Sequence, residues 1–316
     1  MALLARLEPG GADGVGGRVA RLTSAAGRRL IAGVPTLWLL LLFLVPFIIV
    51  FRISFSEVRL AIPPYTPLLT FRHGSPQLEL HWSAYQFLFT DPLYVSAYLY
   101  SIKVAAVSTL CCLAIGYPMA YAIARAGSAV RPALLMLIVL PFWTSFLLRV
   151  YSWIGLLKNN GVINNVLLYL GVIHHPLPLL QTDFAVYVGI VYSYLPFMIL
   201  PLYANLEKHD AALLEAAADL GARPLRAFVR ITMPQSFPGI VAGSLLVFIP
   251  AVGEYVIPTL LGRTDQLMIG RVLSDEFFEN RDWPVASAVA ILILLLLVVP
   301  ILLFQRYQRR ELEAAR

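Results

Sequence analysis

Apolar residues along this chain gather in six blocks of about twenty, the length a helix needs to cross some 30 Å of hydrocarbon at about 1.5 Å per residue. The blocks cover residues 31–51, 97–124, 133–157, 184–206, 239–261 and 284–304. Neither the alternation of a half-buried strand nor the single apolar stripe of a surface helix organises them, so each is predicted to be a membrane-spanning helix. Interior prolines (Pro46, Pro118, Pro141, Pro196, Pro250 and Pro258) are expected to bend or break their helices, which membrane helices tolerate where neighbours supply hydrogen bonds.

Composition agrees with the pattern. The chain is 59% hydrophobic and 13% charged, with a mean hydropathy of +0.77, which excludes an ordinary soluble domain. A net charge of +6 would suit a nucleic-acid partner, but the basic residues flank the apolar blocks and form no basic domain of their own, so none is expected. Their placement predicts both termini in the cytoplasm, with Arg125, Arg131, Arg223, Arg226 and Arg230 inside and a six-span domain over residues 31–305. Residues 1–30 hold several Arg and Gly without a short apolar core and cleavage site. They read as a cytoplasmic tail, as do residues 306–316. Cys111 and Cys112 are adjacent inside an apolar block and read as small packing residues.

Little else in the chain suggests chemistry. His174 and His175 have no matching acidic or thiol cluster, so no metal site is expected, and no nucleophile–base set suggests an enzyme. Two long outside loops, 52–96 and 158–183, suit either a docking surface or simple connectors, and residues 162–173 are expected to lie along the membrane face. Asp275, Glu276, Glu279 and Asp282 form an outside acidic patch.

The most informative stretch is the inside loop 207–238. Helix formers run over 210–220, and Gly221 stands where a helix C-terminus needs a residue that tolerates positive φ. Pro224 can open a second short helix that continues through Arg226, Phe228 and Ile231, and Pro234 and Pro238 end it. The product is a helical hairpin, a knob for a groove in another protein. Glu215-Ala216-Ala217, Gly221 and Ile231-Thr232-Met233-Pro234 are similar in identity and spacing to the "EAA" loop of bacterial ABC importer permeases, with methionine for the usual leucine.

That resemblance implies an all-α, six-helix permease of the type I ABC importer fold. Its hairpin docks in a cleft of a separate cytoplasmic ATPase dimer, and Glu215, Ala216, Ala217, Gly221, Ile231 and Pro234 carry the coupling. ATP and Mg would be bound by the ATPase, and this chain would bind no cofactor. Consistent with this, the chain holds no G-x-x-x-x-G-K-[ST] motif, and its glycine cluster at residues 10–17 lacks the lysine.

The stretches 140–165, 248–262 and 268–291 resemble the polyamine branch of these permeases, the last two being closest to the putrescine permease. The resemblance spans roughly residues 30–305. It implies a second homologous permease, a periplasmic polyamine-binding protein and a bacterial inner-membrane location. From the residues themselves, Glu254 is an ionisable group inside the fifth block, beside Tyr255, and should face protein or a wet cavity. A carboxylate with aromatic neighbours suits a protonated diamine, and Trp143, Tyr151, Trp153, Tyr192, Tyr194 and Tyr255 are candidates for the lining. Equally, a straight-helix count puts Arg149 and Glu254 at the same depth, roughly 22–24 Å from the inner side, where they would form a buried ion pair. Other cargoes (spermidine, another organic cation, thiamine, iron) and a proton-coupled secondary transporter are the competing readings.

Overall fold

The structure is a computed structural model and describes residues 32–72 and 75–314, so the tail 1–30 lies outside the described residues. It divides into two units, one ending at Ile53 and the other beginning at Ser54. Among the described residues, the first holds the helix α1 (Ala32–Ile53), widened by a π turn over Leu40–Leu44.

The second unit opens with a small antiparallel ribbon, β1 (Leu69–Arg72) and β2 (Ser75–Leu78), in register Leu69 to Leu78. The sequence reading had no strand here; four residues a side give too little alternation to distinguish a ribbon from a loop. Helix α2 (Ser83–Thr90) follows, tied to the start of the unit by Tyr85 Oη donating to Ser54 Oγ at 2.9 Å and by the Phe55–Trp82 edge contact.

Helix α3 (Pro92–Arg125) starts where Asp91 accepts the Leu93 N–H at 2.8 Å and Pro92 takes the first position, whose N–H would be unpaired in any case. It runs on unbroken through Pro118. Its buried face carries Ala97, Ser101, Ala105, Ser108, Cys112, Gly116 and Ala120, a stripe of small residues that lets neighbouring backbones approach. Cys112 is fully buried in that stripe, as expected of a packing residue.

Helix α4 (Arg131–Val139) tightens into a 3-10 turn through Trp143, and the chain then turns by 88° into α5 (Phe146–Leu157) and α6 (Val162–Tyr169). The buried Asn164 fastens the following loop by exchanging hydrogen bonds with the Leu177 backbone, both at 2.9 Å. Helix α7 (Asp183–Leu206), capped by Thr182, passes through Pro196 and Pro201 without a break.

The chain next forms α8 (Ala212–Asp219) and α9 (Pro224–Gln235), then bends by 62° into α10 (Phe237–Val252). Helix α10 stops at Gly253, and α11 (Val256–Leu261) resumes after Tyr255. Helix α12 (Ile269–Ser274) continues through a π turn to Glu279. Helix α13 (Trp283–Ala314) runs beyond residue 305, where the sequence had it giving way to a tail.

By length and composition, four described helices can cross a membrane: α1, α3, α7 and the Trp283–Arg306 part of α13. Counting each bent pair (α4 with α5–α6, α9 with α10) as one span gives six. Helices α3, α7 and α10 pack most closely. One apolar cluster includes Val104, Ile190, Ile257 and Ile269, and another Cys112, Met198, Leu202 and Val247. Polar clips join elements across the first: Tyr98 Oη donates to the Val289 carbonyl at 2.8 Å, and the Ile269 N–H donates to Ser101 Oγ at 2.8 Å.

Candidate functional site

Two regions contain the residues singled out from sequence. The first is the hairpin between α7 and α10. Asp210 accepts the Ala212 N–H at 2.9 Å and opens α8. The helix closes on a Schellman motif: Ala222 N–H donates to the Ala217 carbonyl and Gly221 N–H to that of Ala218, each at 2.9 Å, with Gly221 at φ +76°. Positive φ at Gly221 is therefore met.

Glu215, Ala216 and Gly221 are exposed and Ala217 is half-buried, so α8 and its turn project as a free knob. Helix α9 is its base. Ala227, Phe228, Ile231 and Thr232 turn inward, and the Phe228 ring sits edge-on to Tyr117 and Tyr121 of α3, 5.7 Å from each. Pro234 is exposed near the end of α9. At the start of α4, Arg131 donates to Glu207 Oε1 at 2.7 Å and to the Ala124 and Ala126 carbonyls at the end of α3.

The second region is the break between α10 and α11. Glu254 is only 7% exposed. One carboxylate oxygen accepts the N–H groups of Val256 (3.0 Å) and Ile257 (3.3 Å), two orphan donors of the first turn of α11, and the other accepts the Tyr194 hydroxyl of α7. Gly270 of α12 lies against this break: a Cβ there would stand 2.4 Å from the Gly253 carbonyl oxygen.

The expected Arg149–Glu254 ion pair is not formed. Arg149 has no ion pair among the described residues, and its Nε and Nη1 have no hydrogen-bond partner. Its guanidinium instead lies over the rings of Phe142 (5.2 Å) and Phe146 (5.8 Å). The depth count assumed two straight helices, whereas the 88° turn before Phe146 and the stop at Gly253 interrupt both. Between the two charges runs an aromatic series: Tyr194 to Phe197 (6.1 Å), Phe197 to Phe142 (5.2 Å), then Arg149.

Of the aromatic candidates, Tyr194 alone bonds Glu254. Trp153 packs edge-on to Tyr192 (5.5 Å), while Trp143 (73% exposed), Tyr151 (55%) and Tyr255 point away from the packed interior. Phe142, Phe146 and Phe197 were not anticipated. Phe146 was legible, because positions 146 and 149 lie one turn apart on α5, whereas Phe142 reaches Arg149 across the 88° turn.

The acidic patch is largely occupied within the chain. Glu276 accepts from Tyr94 Oη (2.7 Å) and Asn280 (3.0 Å), and Asp282 accepts the Val285 N–H (3.0 Å) at the start of α13. Burial raises the Asp282 carboxyl above its ordinary value, and burial followed by the nearby Glu279 does the same to Asp275. Nearby, a cavity of about 450 Å³ is lined by Ser96, Tyr100 and residues 264–267. Its Asp265 is held by Arg263 at 2.5 Å, which lowers the carboxyl below the usual range. Among the described residues, no group of His, Cys, Asp and Glu can hold a metal ion.

Residues 20–313 match the family described as "Binding-protein-dependent transport system inner membrane component". The chain belongs to that family. It is thus a multi-pass inner-membrane transport component.

It is 44% identical over 219 residues to the spermidine/putrescine transport system permease protein PotB of Escherichia coli (strain K12), covering 69% of this chain and 80% of that one. It is 39% identical over 271 residues to PotB of Haemophilus influenzae, covering 85% and 90%. Among solved structures, a bacterial alginate ABC transporter in complex with a periplasmic protein bound to alginate pentasaccharide contains a chain with the same fold. The TM-score is 0.70 at 18% identity, over 92% of this chain and 98% of that one. These PotB relatives are named for both polyamines, a coarser statement than the putrescine permease singled out from sequence.

Proposed function

We propose that this chain is the permease subunit of an ATP-driven importer of polyamines, spermidine or putrescine, and that it forms half of the translocation pathway. The observation that carries the reading is the 44% identity to a spermidine/putrescine permease, in a chain whose hairpin stands free with Gly221 in the left-handed conformation. The second half of the pathway is a homologous permease. A cytoplasmic ATPase dimer holds ATP and Mg and grips the hairpin through Glu215, Ala216, Ala217 and Gly221. A periplasmic polyamine-binding protein delivers cargo to the outer loops.

Both termini are cytoplasmic in this reading. The Arg131–Glu207 pair supports it, because it joins the start of α4 to the end of α7, which the arginine distribution assigns to the inside. Glu254 and Tyr194 form the gate on the cargo path. A carboxylate already holding a hydroxyl and two backbone donors can exchange those partners for an ammonium group. Arg149 over Phe142 and Phe146 marks a second cation position, framed by two ring faces.

The test is uptake of labelled spermidine and putrescine into vesicles containing the four-component assembly. Uptake should require the ATPase and fall at least tenfold when Glu215→Ala and Gly221→Pro are combined. Transport by this chain alone, or full uptake by the double variant, would overturn the reading.

A further inference from the structure

Helix α9 has a second face that the hairpin's docking role does not use. Leu225, Val229 and Met233 recur every fourth residue on it and are 74%, 50% and 49% exposed. Arg223, Arg226 and Arg230 accompany them, all exposed and without an ion pair among the described residues. With Leu225 and Val229 the three arginines line a shallow groove of about 300 Å³ that contains no carboxylate. The opposite face of the same helix is spoken for by Phe228 against Tyr117 and Tyr121.

From this face we infer that α9 is an interfacial helix that recognises the phosphate headgroups of anionic phospholipids. Three features select a lipid surface over a protein groove. Helix α9 meets α10 at 62°, so with α10 along the membrane normal α9 lies nearer the membrane plane, directly at the end of that span. Its apolar stripe has the width of one row of side chains, enough to enter the acyl boundary but too narrow for a buried protein core. Its cations are all arginine, whose long stems let the guanidinium reach phosphate while the helix stays at the boundary. The consequence is regulation by membrane composition: anionic lipid holds the base of the knob against the bilayer while its tip stays free.

The inference adds to the proposed transport role and does not depend on the cargo. The experiment uses the full assembly in nanodiscs of phosphatidylcholine with increasing phosphatidylglycerol. Cys111→Ala and Cys112→Ala remove the native thiols, and an environment-sensitive NBD fluorophore is attached through Leu225→Cys. Emission should shift to the blue and become accessible to a lipid-borne quencher as phosphatidylglycerol rises. Each of Arg223→Gln, Arg226→Gln and Arg230→Gln should raise the half-saturating lipid fraction about fivefold, and Arg→Lys should largely preserve it. A label placed through Leu220→Cys, at the hairpin tip that the proposed ATPase cleft covers, should give an emission that does not change with phosphatidylglycerol.

Emission at position 225 indifferent to phosphatidylglycerol, or a blue shift that follows ATPase addition and not lipid, overturns the inference. Nanodiscs carry the same lipid in both leaflets, so a negative result counts against lipid recognition and leaves the transport reading standing.

Discussion

Replacing Glu254 by alanine separates the mechanical role of its carboxylate from its charge. The carboxylate closes two N–H groups at the start of α11 and accepts the Tyr194 hydroxyl, all in a site only 7% exposed. Losing a helix cap costs about 1 kcal/mol, and leaving a buried hydroxyl unpaired costs about 1–3 kcal/mol more. Glu254→Ala is therefore expected to lose about 2–4 kcal/mol. Glu254→Gln keeps an oxygen for the N–H groups and should recover most of that. Tyr194→Phe removes the buried donor without touching the cap and should cost about 1 kcal/mol.

The assay is paired: thermal unfolding of the purified assembly in nanodiscs, and polyamine uptake with ATPase activity followed in parallel. If Glu254 also meets the cation, Glu254→Gln should be nearly as stable as the parent yet lose at least tenfold in uptake. Parental stability in Glu254→Ala would refute the capping argument. Parental uptake in a stable Glu254→Gln would remove the charge from the cargo path.

Two further perturbations test the surroundings. Gly270→Ala would drive a methyl group into the backbone oxygens of Gly253 and Glu254, at 2.4 and 2.8 Å, and is expected to cost about 1–3 kcal/mol in thermal unfolding. Gly253→Ala, with nothing within 4 Å, serves as the near-neutral control, and equal effects would refute the close-approach argument. Arg149→Leu removes a guanidinium with two unbonded nitrogens and should raise the unfolding midpoint by about 2 °C while uptake falls. A lowered midpoint would mean that a partner missing from the described chain compensates that charge.

Hydropathy placed the long helices, α7 to within a residue (expected over 184–206, it spans Asp183–Leu206), whereas α13, expected to end at 304, runs to Ala314. The hairpin was legible because its signals are local. A helix that ends at a position demanding positive φ, followed by a proline, says the same thing at every scale. The breaks were not, because hydropathy reports how much apolar chain is present and not whether one axis runs through it. Prolines proved a partial guide: α3 continues through Pro118 and α7 through Pro196, whereas Pro141 lies in the 3-10 turn before the 88° bend and Pro250 in the last turn of α10 before it stops at Gly253. The Arg149–Glu254 pairing failed for that reason. A count along one axis cannot foresee that a carboxylate's first obligation is to the orphan donors beside it.

Helix α3 receives the ring of Phe228 between Tyr117 and Tyr121 near one end, and near the other presents Tyr94 to Glu276 and Tyr100 to Asp183. Its 34 residues make a rod of about 50 Å with no interruption. A shove delivered at the aromatic socket therefore has no elastic joint in which to dissipate. In the proposed transport reading, a displacement at the foot of this rod would reach the tyrosines that hold Glu276 and Asp183 at its head as a tilt of one rigid body.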